Sequence, residues 1–161
     1  MNQNKDNHCC FTGHRPEKLN ISEENIRKLL EKEIDLVINN KYDTFITGMA
    51  MGVDIWAAEI VLKKKVQYPY LHLICAIPHP GFERRRSLDD KETYKNILKD
   101  ADIVKMVSDH YFSGCYQVCN RWMVDHSSYV IAVWNGKPSG TKNTICYAKR
   151  KGIKVKNIIK D

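Results

Sequence analysis

Long apolar runs are missing from this sequence of 161 residues, and their absence excludes one class of protein. No stretch approaches the ~20 consecutive apolar residues that a membrane-spanning helix needs. Residues 1–8 are polar and hold no apolar core of a secretion signal, so we expect a cytoplasmic protein without a membrane partner. Internal repeats, low-complexity tracts and linkers rich in proline, glycine and serine are also missing. The composition, 43% hydrophobic and 28% charged, predicts one domain over residues 1–161.

The six cysteines lack the pattern of a disulfide framework or a metal site. Without a secretion signal they are expected to be reduced, and Cys75 lies in an apolar run where it would be a small core residue. Cys115 and Cys119 are four residues apart, but no second pair follows at metal-ligand spacing, which favours core packing over zinc. We expect no metal and no cofactor. The net charge of +7 favours anionic partners, namely nucleotides, nucleic acid or phosphorylated metabolites.

Apolar runs alternate with amphipathic stretches from one end of the chain to the other. This order predicts an α/β protein with a Rossmann-like, three-layer sandwich and a mostly parallel sheet, because right-handed crossovers permit few other arrangements. The predicted strands are 8–12, 44–47, 72–78, 103–107, 129–134 and 153–159. The predicted helices are about 22–39, 54–65, 83–100, 116–126 and 141–151.

Ligands of such sheets bind beyond the carboxyl ends of the strands, and the loop after the second strand is the first candidate. Gly48 and Gly52 allow a tight turn and close approach of a ligand to the backbone ahead of a helix. Asp54 has two interpretations that stay open. It either stabilises the free amides and dipole of the helix N-terminus, or accepts hydrogen bonds from the hydroxyls of a ribose.

The loop after the fifth strand, 135–142, offers glycines, hydroxyls and two lysines at the start of a helix. This combination is what an anion site needs, so we predict a phosphate there, with a plain solvated loop as the alternative. His14 and Arg15 follow the first strand and would reach the same crevice. Arg15 would be a bidentate phosphate or carboxylate ligand, and His14 a donor or proton carrier.

Two further polar groups of residues are candidates. Asn120, Arg121 and Asp125 lie in an otherwise apolar helical segment, where Arg121 and Asp125 are spaced to pair with each other. The run 83–86 contains three arginines that would bind a nucleic-acid backbone or a polyphosphate, or form a solvated helix surface. The tryptophans fit either a core or the contacts of a homo-oligomer: Trp56, Trp122 and Trp134.

Four motifs together resemble the SLOG superfamily, in particular its YpsA-like branch. They are Gly13–Pro16, Gly48–Asp54, Asn120–Asp125 and Ser139–Thr141, and their order and spacing cover nearly the whole chain. The resemblance implies a Rossmann-like fold with a pocket for a nucleotide or nucleotide derivative. The superfamily includes cytokinin-activating phosphoribohydrolases, the DNA-processing protein DprA and sensor domains for nucleotide signals.

The resemblance assigns a set of residues to the pocket: Gly13, Arg15, Gly48, Gly52, Asp54, Asn120, Arg121, Asp125, Gly140 and Thr141. The phosphoribohydrolase branch has a Gly-Gly-x-Gly-Thr motif followed closely by a catalytic glutamate. This chain reads PSGTKNT over 138–144, so that glutamate is absent. Cleavage of an N-glycosidic bond passes through an oxocarbenium-like state that a carboxylate stabilises, and Asp54 or Asp125 would have to replace the glutamate.

Three functions remain open on the sequence. The first is binding or sensing of a nucleotide-derived small molecule, such as an ADP-ribose-like ligand or a nucleoside phosphate, with ribose at Asp54 and phosphate at 140–141. The second is hydrolysis of a nucleotide or of its N-glycosidic bond, with Asp54 or Asp125 as the acid and Arg121 as a phosphate ligand. The third, by analogy with DprA, is single-stranded nucleic-acid binding through the arginines of 84–86.

Overall fold

The computed structural model describes residues 4–159, in which strands and helices alternate along the chain. The strands are β1 (His8–Gly13), β2 (Thr44–Thr47), β3 (His72–Ile77), β4 (Ile103–Met106), β5 (Tyr129–Val133) and β6 (Lys154–Asn157). The helices are α1 (Glu23–Asn39), α2 (Val53–Gln67), α3 (Leu88–Asp100), α4 (Cys115–Asp125) and α5 (Gly140–Arg150), and a 3-10 turn covers Pro16–Lys18. None of the helices in this part of the chain is long and apolar enough to cross a membrane.

The strands form one six-stranded sheet in the order β4-β3-β2-β1-β5-β6. Every neighbouring pair is parallel, and the central strand β1 is bonded on both sides, with Cys10 opposite Ile46 of β2 and Val130 of β5. Chain order reverses between β1 and β5, because β2 to β4 extend to one side and β5 and β6 to the other. The predicted α/β Rossmann-like fold is confirmed.

Two hydrophobic cores cover the two faces of the sheet. On one face, Phe11, Phe45 and Leu73 pack with α1, α2 and α3, and Cys75 is buried in this core as the sequence predicts. On the other face, Cys10 and Ile74 pack with α4 and α5. Alternate residues of a strand point to opposite faces, so a buried parallel strand must be apolar throughout. This explains why β2, β3 and β5 read as nearly continuous apolar runs.

The third helix begins five residues later than the sequence predicts. Residues 83–86 form turns, in which the amide of Arg84 donates to the carbonyl of Gly81 at 3.0 Å. The helix starts at Leu88, because the Ser87 side chain accepts from the amide of Asp90 at 3.1 Å and caps it. The prediction that Glu83 opens this helix is wrong.

Candidate functional site

A cavity of about 250 Å³ lies at the carboxyl ends of the strands, where the chain order reverses between β1 and β5. Loops after β1, β2, β3 and β5 and the first turns of α4 surround it. Its lining consists of Phe11, Thr12, Gly13, His14, Arg15, Lys18, Gly48, Ala50, Met51, Asp54, Pro78, Phe82, Tyr116, Cys119, Asn120, Ser139, Gly140 and Thr141.

Asp54 holds the loop between β2 and α2 from inside the fold. Its Oδ2 accepts from the amide of Ala50 at 3.2 Å, and its carbonyl accepts from the Thr47 hydroxyl at 2.9 Å. The loop needs this support because Met49 adopts a φ of 60°, in the left-handed region that non-glycine residues rarely occupy. The carboxylate therefore stabilises an amide of the loop that precedes α2, and it also lines the cavity.

The environment of Asp54 shifts its ionisation into the neutral range. Burial raises the pKa of this carboxyl from 3.8 to about 7, although the hydrogen bond from Ala50 and the charge of Arg86 act in the opposite direction. Near neutral pH both the protonated and the charged form of the group are therefore populated. A carboxyl in this state beside a cavity is suited to acid or base chemistry as well as to binding.

His14 lines the cavity and has one buried ring nitrogen without a hydrogen-bond partner in residues 4–159. The residue is only 4% exposed, and among the described residues no group bonds to its Nε2. Its amide donates to the carbonyl of Val133 at 3.1 Å, which continues the β1–β5 pairing and fixes the residue at the point of reversal. Burial lowers the pKa of the imidazole. A buried polar atom without a partner is costly, so a ligand that bonds to Nε2 would stabilise this arrangement.

The N-terminus of α5 forms the wall beside β5. Ser139 caps the helix, and its Oγ accepts from the amide of Lys142 at 3.1 Å. The first amides of a helix have no partner within it, so those of Gly140 and Thr141 remain for a ligand. A Cβ at Gly140 would meet no atom within 4 Å, so the backbone stands open at the cavity wall. Free amides at a helix N-terminus are a general means of binding an anion.

The residues around this cavity fall within a match to a known family. The YpsA family model, described as the YspA SLOG family, matches residues 9–158. The chain belongs to the YpsA family of SLOG proteins. This chain is 34% identical over 140 residues to the SPbeta prophage-derived protein YoqJ of Bacillus subtilis strain 168, covering 78% of this chain and 76% of that protein. It is 29% identical over 150 residues to a UPF0398 protein of Bacillus cereus, covering 88% and 82%.

Two solved structures share the fold of this YpsA-family chain. DNA processing protein A (DprA) from Streptococcus pneumoniae aligns with a TM-score of 0.66 and 20% identity, covering 94% of this chain and 50% of DprA. The structure of DprA from Helicobacter pylori, which concerns its single-stranded DNA binding mode, aligns with a TM-score of 0.64 and 18% identity, covering 95% and 65%. The chain thus spans half to two thirds of the DprA chains, and likeness at this identity shows the fold alone.

The fold brings most of the predicted site residues of this YpsA-family protein together. Those in the cavity lining are Gly13, His14, Arg15, Gly48, Asp54, Asn120, Gly140 and Thr141. Gly52 is outside the lining and acts on the loop instead, because its φ of 94° and its close approach to Pro16 exclude a side chain.

Arg121 and Asp125 do not join this group. Both lie on the side of α4 that faces α5, where they contact Tyr147. The guanidinium of Arg121 lies 5.0 Å from the centre of the Tyr147 ring, and Asp125 accepts from the Tyr147 hydroxyl at 2.7 Å. The predicted Arg121–Asp125 ion pair is replaced by this shared tyrosine, because Tyr147 lies within reach of both side chains. Neither residue lines the cavity in the part of the chain that the structure describes.

Arg86 supports a loop of the site from a position that the sequence analysis did not predict. It is half-buried, with its guanidinium 4.9 Å from the ring centres of both Phe82 and Tyr94. Its Nη2 donates to the carbonyl of Met49 at 2.6 Å, so it supports the left-handed turn of the β2–α2 loop. Only Arg84 and Arg85 of the three arginines remain exposed. Arg86 is therefore not available to a nucleic-acid backbone.

Proposed function

We propose that the cavity binds a nucleotide-derived small molecule, either a nucleoside phosphate or an ADP-ribose-like ligand. The observation that carries the proposal is that His14, whose buried Nε2 has no hydrogen-bond partner in the described part of the chain, and the α5 N-terminus line one cavity at the reversal point of a parallel sheet. Parallel α/β sheets bind nucleotides at such points. Membership of the SLOG family supports the same class of ligand.

The phosphate is assigned to the α5 N-terminus. The amides of Gly140 and Thr141 and the positive end of the helix dipole favour an anion, and the exposed Arg15, which lines the same cavity, supplies a full positive charge. His14 adds a hydrogen bond through Nε2 when the imidazole carries its proton there. The ribose is assigned to Asp54, whose carboxylate would repel a phosphate and accepts hydrogen bonds from hydroxyls.

The test is equilibrium binding of AMP, ADP, ADP-ribose and ribose 5-phosphate, measured by calorimetry and thermal shift. In the Gly140→Ala variant a methyl group stands in open space at the cavity wall, so the fold should be unchanged while phosphate binding weakens by roughly tenfold or more. Asn143→Ala, on an exposed position of the same helix, is the matched control. Wild-type protein that binds none of these ligands would refute the proposal, as would equal affinities in Gly140→Ala and wild type.

A second candidate is hydrolysis of the N-glycosidic bond, and the raised pKa of Asp54 favours it. In this reaction water adds across the bond between the ribose and the base, which gives free base and sugar phosphate. The separation of Asp125 from the cavity leaves Asp54 as the one carboxylate in the lining within residues 4–159. Chromatography of each incubated mixture separates the candidates: intact ligand supports binding alone, and base with sugar phosphate that disappears in Asp54→Asn supports hydrolysis.

A further inference from the structure

Four aromatic rings stand together beside the cavity, and two of them, Phe82 and Tyr116, belong to its lining. His79 and Phe82 come from the loop after β3, Tyr111 from the loop after β4, and Tyr116 from the first turn of α4. We call these four residues the aromatic rim. His79 is the centre of the group, with its ring 5.3 Å from Tyr111 and 5.8 Å from both Phe82 and Tyr116.

The aromatic rim faces solvent, although its rings are ordered by contacts with one another. Tyr111 is 62% and Tyr116 46% exposed. Phe82 packs against the core between the sheet and the helices α1, α2 and α3. Nδ1 of His79 lies 2.8 Å from the Pro80 carbonyl, which only accepts, so this nitrogen carries a proton. Nε2 of the same ring lies 3.4 Å from the Tyr116 hydroxyl. This places an exposed group of rings beside a cavity, where a planar ligand group would cover them.

The size of the cavity favours a ligand that extends to its mouth. Its volume, about 250 Å³, is below the roughly 300–1,000 Å³ of pockets that enclose a drug-sized ligand. With the phosphate at the α5 N-terminus and the ribose at Asp54, the base of a nucleotide leaves the cavity at the opening. Phe82 and Tyr116 belong both to the cavity lining and to the aromatic rim, so they are the surfaces that the base meets there.

The charges near the aromatic rim suit the same ligand. Arg15 lines the cavity together with Tyr116. Burial raises the pKa of the Tyr116 hydroxyl, and the charges of Arg15 and Arg85 act on it in the opposite direction. Both arginines are exposed. A guanidinium beside a stacking surface can pair with a phosphate or lie over the face of a base.

We infer that the aromatic rim is the base-binding part of the site, on which a purine of a nucleoside phosphate stacks against Tyr116 and Phe82. This inference rests on the proposed function and adds the part of the ligand that the proposed function leaves unassigned. A purine is favoured over a pyrimidine because its two fused rings cover more of the exposed aromatic surface. The four rings are then a means of selecting nucleotides over plain sugar phosphates.

The experiment compares the affinities of AMP and ribose 5-phosphate, two ligands that differ by the base alone. Wild-type protein should bind AMP at least about tenfold more tightly, since stacking of one base on an aromatic side chain is worth about that factor or more. Tyr116→Ala should remove this difference and leave the affinity for ribose 5-phosphate unchanged. Tyr116→Phe keeps the ring and should retain it. Tyr70→Ala, at another exposed tyrosine outside the site, is the matched control.

The outcomes separate this inference from the proposed function. If ribose 5-phosphate binds and AMP binds no more tightly, the aromatic rim is not a base site while the phosphate and ribose assignments stand. If Tyr116→Ala binds AMP as wild type does, the inference is equally refuted. If neither ligand binds, both proposals fail. A third ligand, oligo(dT), tests whether the stacked bases come from single-stranded DNA instead. The small-molecule assignment would be overturned if oligo(dT) bound more tightly than AMP, with an affinity that depends steeply on salt and is lost in Tyr116→Ala.

Discussion

Replacement of Asp54 by asparagine should change how the stability of the protein depends on pH. The carboxyl has a pKa of about 7 in the folded protein and 3.8 as its ordinary value, because folding removes it from water. Between these two values the folded state binds the proton and the unfolded state does not. Stability therefore falls as pH rises through this window, and the loss is complete above about pH 7. Asparagine has no charge to bury and retains an oxygen that accepts from Ala50.

The size of the effect follows from the shift. One pKa unit corresponds to about 1.4 kcal/mol, so the full shift of about three units destabilises the charged form by about 4 kcal/mol. At about pH 5 the folded protein is protonated at this site and the unfolded chain is mostly charged. Folding then costs only the uptake of one proton, which is part of the full cost of about 4 kcal/mol. Between about pH 5 and about pH 8, the free energy of unfolding of Asp54→Asn should therefore rise by about 3 kcal/mol relative to wild type.

Urea unfolding of wild type and variant at these two pH values measures the difference. The difference in stability between variant and wild type is taken at each pH, and the two differences are subtracted. Any effect of the substitution on packing that is the same at both pH values then cancels. Asp125→Asn removes a negative charge from an exposed position and controls for net charge. A difference between Asp54→Asn and wild type that is the same at both pH values would refute the reasoning, since Asp54 would then keep its hydration in the fold.

Two further substitutions test contacts around the β2–α2 loop. Gly13→Ala would place a methyl carbon 2.6–2.9 Å from the side-chain carbons of Val53, so α2 must shift. Urea unfolding should show that the free energy of unfolding falls by about 1–3 kcal/mol. A decrease below about 0.5 kcal/mol would contradict this contact. Arg86→Met removes the hydrogen bond to Met49 and two ring contacts, which should cost about 2 kcal/mol. The pH dependence assigned to Asp54 should also extend to higher pH, because the charge of Arg86 lowers that pKa; an unchanged pH dependence would contradict their coupling.

Sequence periodicity predicted the elements of this fold because buried parallel strands and amphipathic helices leave clear patterns. The strands at 44–47 and 129–134 were visible as apolar runs, and the observed β2 and β5 agree with them to within one residue. The start of α3 was missed because Glu83 and the arginines after it suit a helix by propensity. Ser87, followed by Asp90 three residues later, was the capping pattern that could have placed the boundary.

The sequence predicted those residues of the candidate site that directly follow the ends of strands. Gly13, Gly48 and Gly140 could be placed because a parallel sheet brings its carboxyl ends to one edge. The inward position of Arg86 depends on packing between α3 and the β2–α2 loop, which leaves no periodic pattern. The four rings of the aromatic rim come from three separate loops and helix ends. They lie close to one another only in the assembled fold, so no sequence pattern predicts the group.

The position of β1 also affects how the chain reaches its folded state. This strand is made first, yet it pairs with β5, whose partner residues lie about 120 positions later, as in Cys9 with Tyr129. Contacts of such long sequence separation slow folding, because the entropy of closing a long loop is lost before the contact forms. During synthesis one edge of β1 stays open until β5 has left the ribosome. The half-made chain therefore presents the unpaired edge of an apolar strand to its surroundings until β5, in the last fifth of the 161 residues, closes it.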